Sequence, residues 1–181
     1  MSSTLPLLAV TVAALAIVQQ ATAAPAFQGK AVTRTGVIRL HGGIDKVFPL
    51  FGPIEEKHWA AGWEPRVVYF AGPGEVAEGM VFITGDNGET TWVLSHYDPA
   101  GHAIAYYNVT PAYQLRKIEI RCRPLPGEVT EATVTYTHVG LSDRGNQDVE
   151  HMNEAAYAEK MASWEKAINH YLKTGTTLPH H

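Results

Sequence analysis

The strongest periodic signal in the chain lies near its C-terminus, where apolar positions return at helical spacing. Tyr157, Met161, Trp164, Ile168 and Tyr171 recur at steps of four and three, and Val149, Ala167 and Leu172 widen the same stripe. One buried helical face has this pattern, with His151, Glu159, Lys166, Asn169 and Lys173 on the opposite side. The pattern predicts a single helix from Ser142 to Lys173, capped by Ser142 or Asp143 and stopped at Gly175. At 1.5 Å per residue it would be about 45 Å long, enough to lie across a small domain. Asn153 and Lys160 fall on or beside the stripe. Lys160 can lay its stem on the core and hold its ammonium in water, or both residues can line a polar end of a cavity.

Upstream of the helix the period shortens to two. Val32 to Leu40 reads as a first strand, and six more follow: Arg66 to Ala71, Met80 to Thr84, Thr90 to Tyr97, His102 to Val109, Tyr113 to Arg123 and Glu128 to Val139. Turn residues such as Gly85-Asp86-Asn87-Gly88, Asp98-Pro99-Ala100-Gly101 and Pro124-Leu125-Pro126-Gly127 separate them, and connections this short make an antiparallel meander. In the last strand Val134, Tyr136 and His138 alternate with Thr133, Thr135 and Thr137, so the first set shares one face. Between the first and second strands, Asp45 to Leu50 and Ile54 to Ala60 read as two short helices, kept short by Pro49, Gly52-Pro53 and Gly62. Such a broken pair cannot build its own core and is expected to plug one end of the sheet.

Composition narrows the function classes. The chain has 181 residues, is 45% hydrophobic and 18% charged, and suits one globular domain. A formal charge of -4 gives no electrostatic reason to expect nucleic acid as a partner. The single cysteine, Cys122, excludes an intrachain disulfide and shares a strand face with Ile118 and Ile120, as a buried, inert thiol would. Leu5 to Val18 followed by Ala21-Thr22-Ala23 has the form of an export signal cut after Ala23, although no Lys or Arg precedes the apolar run. The run is short for a membrane span, so export to a bacterial periplasm or secretion is expected, with an uncleaved tether as the alternative. The expected layout is a signal at 1–23, a linker at 24–31, the domain at 32–175 and a tail at 176–181.

The element order, together with Phe48-Pro49-Leu50-Phe51, Trp59-Ala60-Ala61-Gly62-Trp63-Glu64-Pro65, Thr91-Trp92-Val93-Leu94 before Tyr97-Asp98, and Tyr136 leading to Leu141-Ser142-Asp143-Arg144-Gly145-Asn146, resembles the SRPBCC superfamily. This START-like, helix-grip group includes the birch-pollen-allergen type, lipid-transfer domains and polyketide cyclases. The resemblance spans about Val32 to Gly175. It implies an α+β fold: a seven-stranded curved antiparallel sheet gripping a long C-terminal helix, with two short helices after strand one. It also implies a mostly apolar cavity between sheet and helix.

Polar groups inside such a cavity set ligand orientation. The candidates are Trp92 and His96 on one strand face, Tyr106 on the next, Tyr136 and His138 on the last, and Asn153, Tyr157, Lys160, Met161 and Trp164 on the helix. Trp59 and Trp63 are candidates for walls at the mouth. A catalytic acid or base could be His138 or Glu64, although no nucleophile elbow or Ser-His-Asp order is present. The nine histidines show no metal-ligand spacing, so neither a metal nor another cofactor is expected. The leading expectation is therefore a binder of a small apolar or amphipathic molecule. A cyclase or dehydratase-like enzyme and a protein-protein adaptor are the alternatives.

Overall fold

A computed structural model describes residues 26–72, 76–86 and 88–179. The expected export signal lies outside the described residues. Strand β1 (Ala31–Leu40) leads to helix α1 (Ile44–Val47) and to 3-10 turns at Phe48–Phe51 and Glu55–His58. Then come β2 (Arg66–Tyr69), β3 (Val81–Thr84), β4 (Thr90–Asp98), β5 (Ala103–Thr110), β6 (Gln114–Leu125) and β7 (Val129–Gly140), followed by α2 (Asp143–His151) and α3 (Glu154–Thr174). The strands form one antiparallel sheet in the order β1-β7-β6-β5-β4-β3-β2. Consecutive strands from β2 to β7 are neighbours, and β1 crosses over to pair with β7 along all of Ala31 to Leu40.

The sheet's two faces follow from alternation. Along β7, Thr130, Ala132, Val134, Tyr136 and His138 are buried. Thr135 and Thr137 meet Thr35 and Thr33 of β1 through hydroxyl pairs of 2.9 Å on the outer face. On β6, Gln114, Ile118, Ile120 and Cys122 point inward, and burial pushes the Cys122 thiol up to about 12.

The expected C-terminal helix is two helices. α2 ends at His151 with Met152 as its cap, and Asn153 takes an extended conformation in which its side chain accepts from the Ala156 N–H at 3.0 Å. Asparagine competes for backbone hydrogen bonds in a helix interior and satisfies orphan donors at a helix start, so Asn153 restarts the helix and does not continue it. The remaining α3 has 21 residues and is about 31 Å long. It stops at Gly175, which takes the left-handed conformation expected of it.

α3 lies close to β1 because Gly36 leaves room: a Cβ there would sit 2.7 Å from Met161 Cγ. It also protects the free edge of β1. The Arg39 N–H donates to Glu165, the His41 N–H donates to Asn169, and Asn169 Nδ2 donates back to the Arg39 carbonyl. Beneath it, Ile38, Leu40, Val47, Phe48, Leu50, Phe51 and Ile168 form a closed apolar core. The short elements after β1 plug this end of the sheet. No helix among the described residues is long and apolar enough to cross a membrane.

Candidate functional site

Between α3 and the middle of the sheet, the interior is built from rings. Trp63, Phe82, Trp92, Tyr106, Tyr136 and Trp164 line a small chamber, completed by Ile118, Ile120 and the side chain of Glu56. Phe82 and Trp92 stack at 5.5 Å, and Trp63 meets Trp92 edge-on at 5.2 Å. Most of the polar handles of these rings are tied to protein. Trp63 Nε1 donates to the Pro53 carbonyl at 2.7 Å, Trp92 Nε1 to Thr84 Oγ1 at 2.9 Å, and the Tyr106 hydroxyl to the Phe51 carbonyl at 2.7 Å. The ring faces are left to shape the chamber. Its free volume is about 10 Å³, room for one water molecule. Hollows of about 560 and 660 Å³ run along β1, but they are open grooves on the surface.

Two titratable groups meet at the chamber. Glu56 comes from the 3-10 turn, and burial raises its carboxyl to about 8 against a partial opposing pull from Lys160. Glu56 is half-buried and its side chain lines the chamber. Burial lowers Lys160 to about 8, helped by Arg116 and opposed by Glu56. The ammonium of Lys160 sits 3.7 Å above the Tyr136 ring, a desolvated cation-π contact. At neutral pH Glu56 is therefore mostly an uncharged acid and Lys160 mostly a cation.

One step further along the strands lies a row of polar side chains. Asn108 on β5 pairs with Arg116 on β6, which pairs with His138 on β7. All three share the inward face with Tyr106, Ile118 and Tyr136. Neither Nδ2 nor Oδ1 of Asn108 has a hydrogen-bond partner, nor does His138 Nε2, and all three atoms are fully buried. Arg34 Nε, on the neighbouring edge strand, is in the same state. A buried polar atom without a partner costs roughly 1–3 kcal/mol, so four around one small region is an expensive arrangement. Burial, Lys160 and Arg116 together lower His138 to about 4, which keeps its imidazole neutral at pH 7.

The structure gathers Trp63, Trp92, Tyr106, Tyr136 and Trp164 around the chamber and sets His138 and Lys160 beside it. Trp59 is buried and packs edge-on against Trp164, with Nε1 donating to the Leu50 carbonyl at 2.7 Å. Tyr157 and Met161 are buried against β1, and the Tyr157 hydroxyl donates to the Val134 carbonyl at 2.8 Å. Three expected positions lie elsewhere. His96 is exposed beside Glu78, 3.3 Å away, because a bulge between Leu94 and His96 shifts the register of β4 and reverses its alternation; Tyr97 points inward instead. Glu64 is exposed on the loop before β2, and Asn153 is an exposed helix cap. Among the described residues no group of three or more His, Cys, Asp or Glu side chains is placed to hold a metal ion.

Sequence reasoning did not find Glu56, Asn108 or Arg116. Glu56 sits in Glu55-Glu56-Lys57-His58, a 3-10 turn too short for any period to tell its inward side. Arg116 was within reach, since it alternates with Ile118, Ile120 and Cys122 on one strand face.

No family model matches this sequence, and no curated protein sequence does. Solved structures share its fold. Ara h 8.0201 aligns with a TM-score of 0.59 at 14% identity, covering 80% of this chain and 99% of its own. Norcoclaurine synthase from Thalictrum flavum, in complex with dopamine and hydroxybenzaldehyde, aligns with a TM-score of 0.55 at 10% identity, covering 80% of this chain and 88% of its own. A protein from Nitrosospira multiformis gives 0.57 at 16% identity, with 78% and 99% covered. The chain thus has the helix-grip fold that these structures share. At these identities the likeness establishes the fold and leaves function to the site.

Proposed function

We propose that this protein binds a small aromatic molecule in the chamber between the sheet and α3, with Trp63, Trp92 and Trp164 as its walls. The observation that supports this reading best is the enclosure: six aromatic rings surround a space lined by one uncharged acid, Glu56, with the Lys160 cation beside it on the Tyr136 ring. The complex of norcoclaurine synthase with two small aromatic compounds, on the same fold, agrees with it. The resting chamber is too small for such a ligand, so binding requires the 52–65 segment to move outward. That segment carries Glu56 and Trp63, is closed on itself by the Trp63 to Pro53 bond, is tied to its surroundings by the Trp59 to Leu50 and Thr177 to His58 bonds, and has a glycine at positive φ in Gly62. In a titration with 2-naphthamide followed by NMR, the indole N–H signals of Trp63, Trp92 and Trp164 should shift together. Ile118→Phe, which fills the chamber, should suppress the response. No shift at millimolar 2-naphthamide, or shifts confined to surface residues, would refute the reading.

A second reading, proton transfer during a cyclase-type reaction, is favoured by Glu56, since an acid near 8 works in both directions around neutral pH. Under it, 2-acetylnaphthalene in D₂O would lose its methyl-ketone proton signal faster with the protein than without it, and Glu56→Gln would remove the acceleration. Equal rates with and without protein would exclude proton transfer to this class of ketone.

A further inference from the structure

The aromatic chamber does not account for the unpartnered polar row beside it. Asn108, Arg116 and His138 occupy successive strands at one level, about 10 Å from end to end, and the chamber-lining residues Tyr106, Ile118 and Tyr136 lie one inward position back, about 7 Å along the strands. The row and the chamber are therefore adjoining parts of one concave surface. Asn108 Nδ2 and His138 Nε2 are fully buried and meet no partner. Arg116 makes one hydrogen bond, from Nε to Gln114 Oε1 at 3.1 Å, and has no carboxylate partner among the described residues. Lys160 on α3 and Glu56 on the 3-10 turn also face this region, while Arg34 on β1 lines the outer groove beside Glu154, and Asp148 lies beyond Arg116 at the Tyr113 hydroxyl. Arg116 and Lys160 are the cations of this interior, and its acid, Glu56, is mostly uncharged at neutral pH. An interior with surplus positive charge and buried donors left unpaired is complementary to an anion.

We infer that Asn108, Arg116 and His138 form a carboxylate subsite, and that the ligand of this protein is an aromatic acid whose ring system fills the chamber and whose carboxylate reaches the row. The inference rests on the reading of the chamber as a binding site. In it, Arg116 supplies the charge, and Asn108 Nδ2 donates directly to a carboxylate oxygen. His138 donates from Nε2 when its neutral ring carries the proton there, or from either nitrogen once an anion beside it favours its protonated form. Asn108 Oδ1, the one unpartnered acceptor, takes a hydroxyl hydrogen, so an acid bearing a neighbouring hydroxyl fits better than the bare acid.

The experiment is isothermal titration of the purified chain with three probes: 2-naphthoate, its neutral isostere 2-naphthamide, and 3-hydroxy-2-naphthoate. The expected result is a preference of at least tenfold for 2-naphthoate over 2-naphthamide, further gain with the hydroxy acid, and a ratio within about threefold of unity in Arg116→Met. Equal affinities of the wild-type chain for 2-naphthoate and 2-naphthamide would overturn the subsite and leave the chamber reading intact. No binding of any probe would overturn both. A melting curve covers the case of a misfolded variant. Asn108→Leu removes two unpartnered atoms, so without ligand it should melt above wild type and should lose the preference for 2-naphthoate. A melting point below wild type would make Asn108 a structural residue and end its role in the subsite.

Discussion

The two ends of the space under α3 are built on opposite rules. Under β1 and α1 the interior is almost entirely apolar, and its one buried hydroxyl, Thr130, donates to the Gly42 carbonyl: Ile38, Leu40, Val47, Phe51 and Ile168 are each at most 1% exposed. Over β5 to β7 the interior holds Glu56, Asn108, Arg116 and His138, with the Lys160 side chain of α3 reaching in beside them and fully buried atoms left unpaired. A domain with one good core does not need a second, costlier one. On the function proposed above, the contrast sets stability at the first end against molecular recognition at the second.

Mutations and pH separate the two ends. The largest effect is expected from Phe51→Ala at the apolar end, which should lose about 3–5 kcal/mol of unfolding free energy in a denaturant titration. An effect below about 1 kcal/mol would erase the contrast. The next is pH dependence. Glu56 in the folded chain keeps a proton up to about 8 that the unfolded chain sheds near 4.5, so its contribution to stability is complete below 4.5 and falls away as pH rises toward 8. His138 and Lys160 act oppositely. The folded state resists protonating His138 between 6.5 and about 4, and Lys160 between 10.5 and about 8, so each contribution is present at the upper pH and lost toward the lower. Between 6.5 and 8 only Glu56 has a slope. Stability should fall by about 2 kcal/mol across that window, pass through a minimum near 8, and rise above it. Glu56→Gln should flatten the falling limb; a falling limb that survives in this variant would show that another group controls it.

Lys160→Met should be a smaller change of about 1 kcal/mol in the stabilising direction at pH 7, because it removes a desolvated cation and keeps the stem, and it should remove the rise above pH 8. Thermal melts at pH 7 and 9 would test both parts. Smallest of all, His96→Ala on the outer face should move stability by less than about 0.5 kcal/mol, as an exposed pair with Glu78 contributes little.

The sheet was legible in the sequence because turn residues punctuate it and alternation is strict in β6 and β7. Arg116, Ile118 and Ile120 on one strand, and Val134, Tyr136 and His138 on the next, follow the period of two without a break. Legibility failed wherever one residue altered the phase. A bulge at Ser95 sent His96 outward, and no local pattern in Thr91 to Asp98 marks it. Asn153 fits a helix by position but is worth more as a cap, and a continuous apolar stripe cannot show that choice. Glu56 and Glu64 bracket one irregular segment. Which carboxylate turns inward there is decided by where Trp59 and Trp63 anchor their indoles, on Leu50 and Pro53, and these are tertiary facts.

The ladder between β1 and β7 bears on how the chain folds. It joins Ala31 to Val139 and Leu40 to Thr130, and Asn146 fastens its end by bonding Gln28 and Lys30, partners more than a hundred residues away in sequence. No local segment can stand in for these pairings, so a loop of about ninety residues must close before β1 gains its strand neighbour. Refolding should be slow for a domain this size, in the millisecond-to-second range of sheets dominated by distant pairings. On the ribosome β1 would wait unpaired until β7 emerges, which makes the first strand the segment most in need of a chaperone.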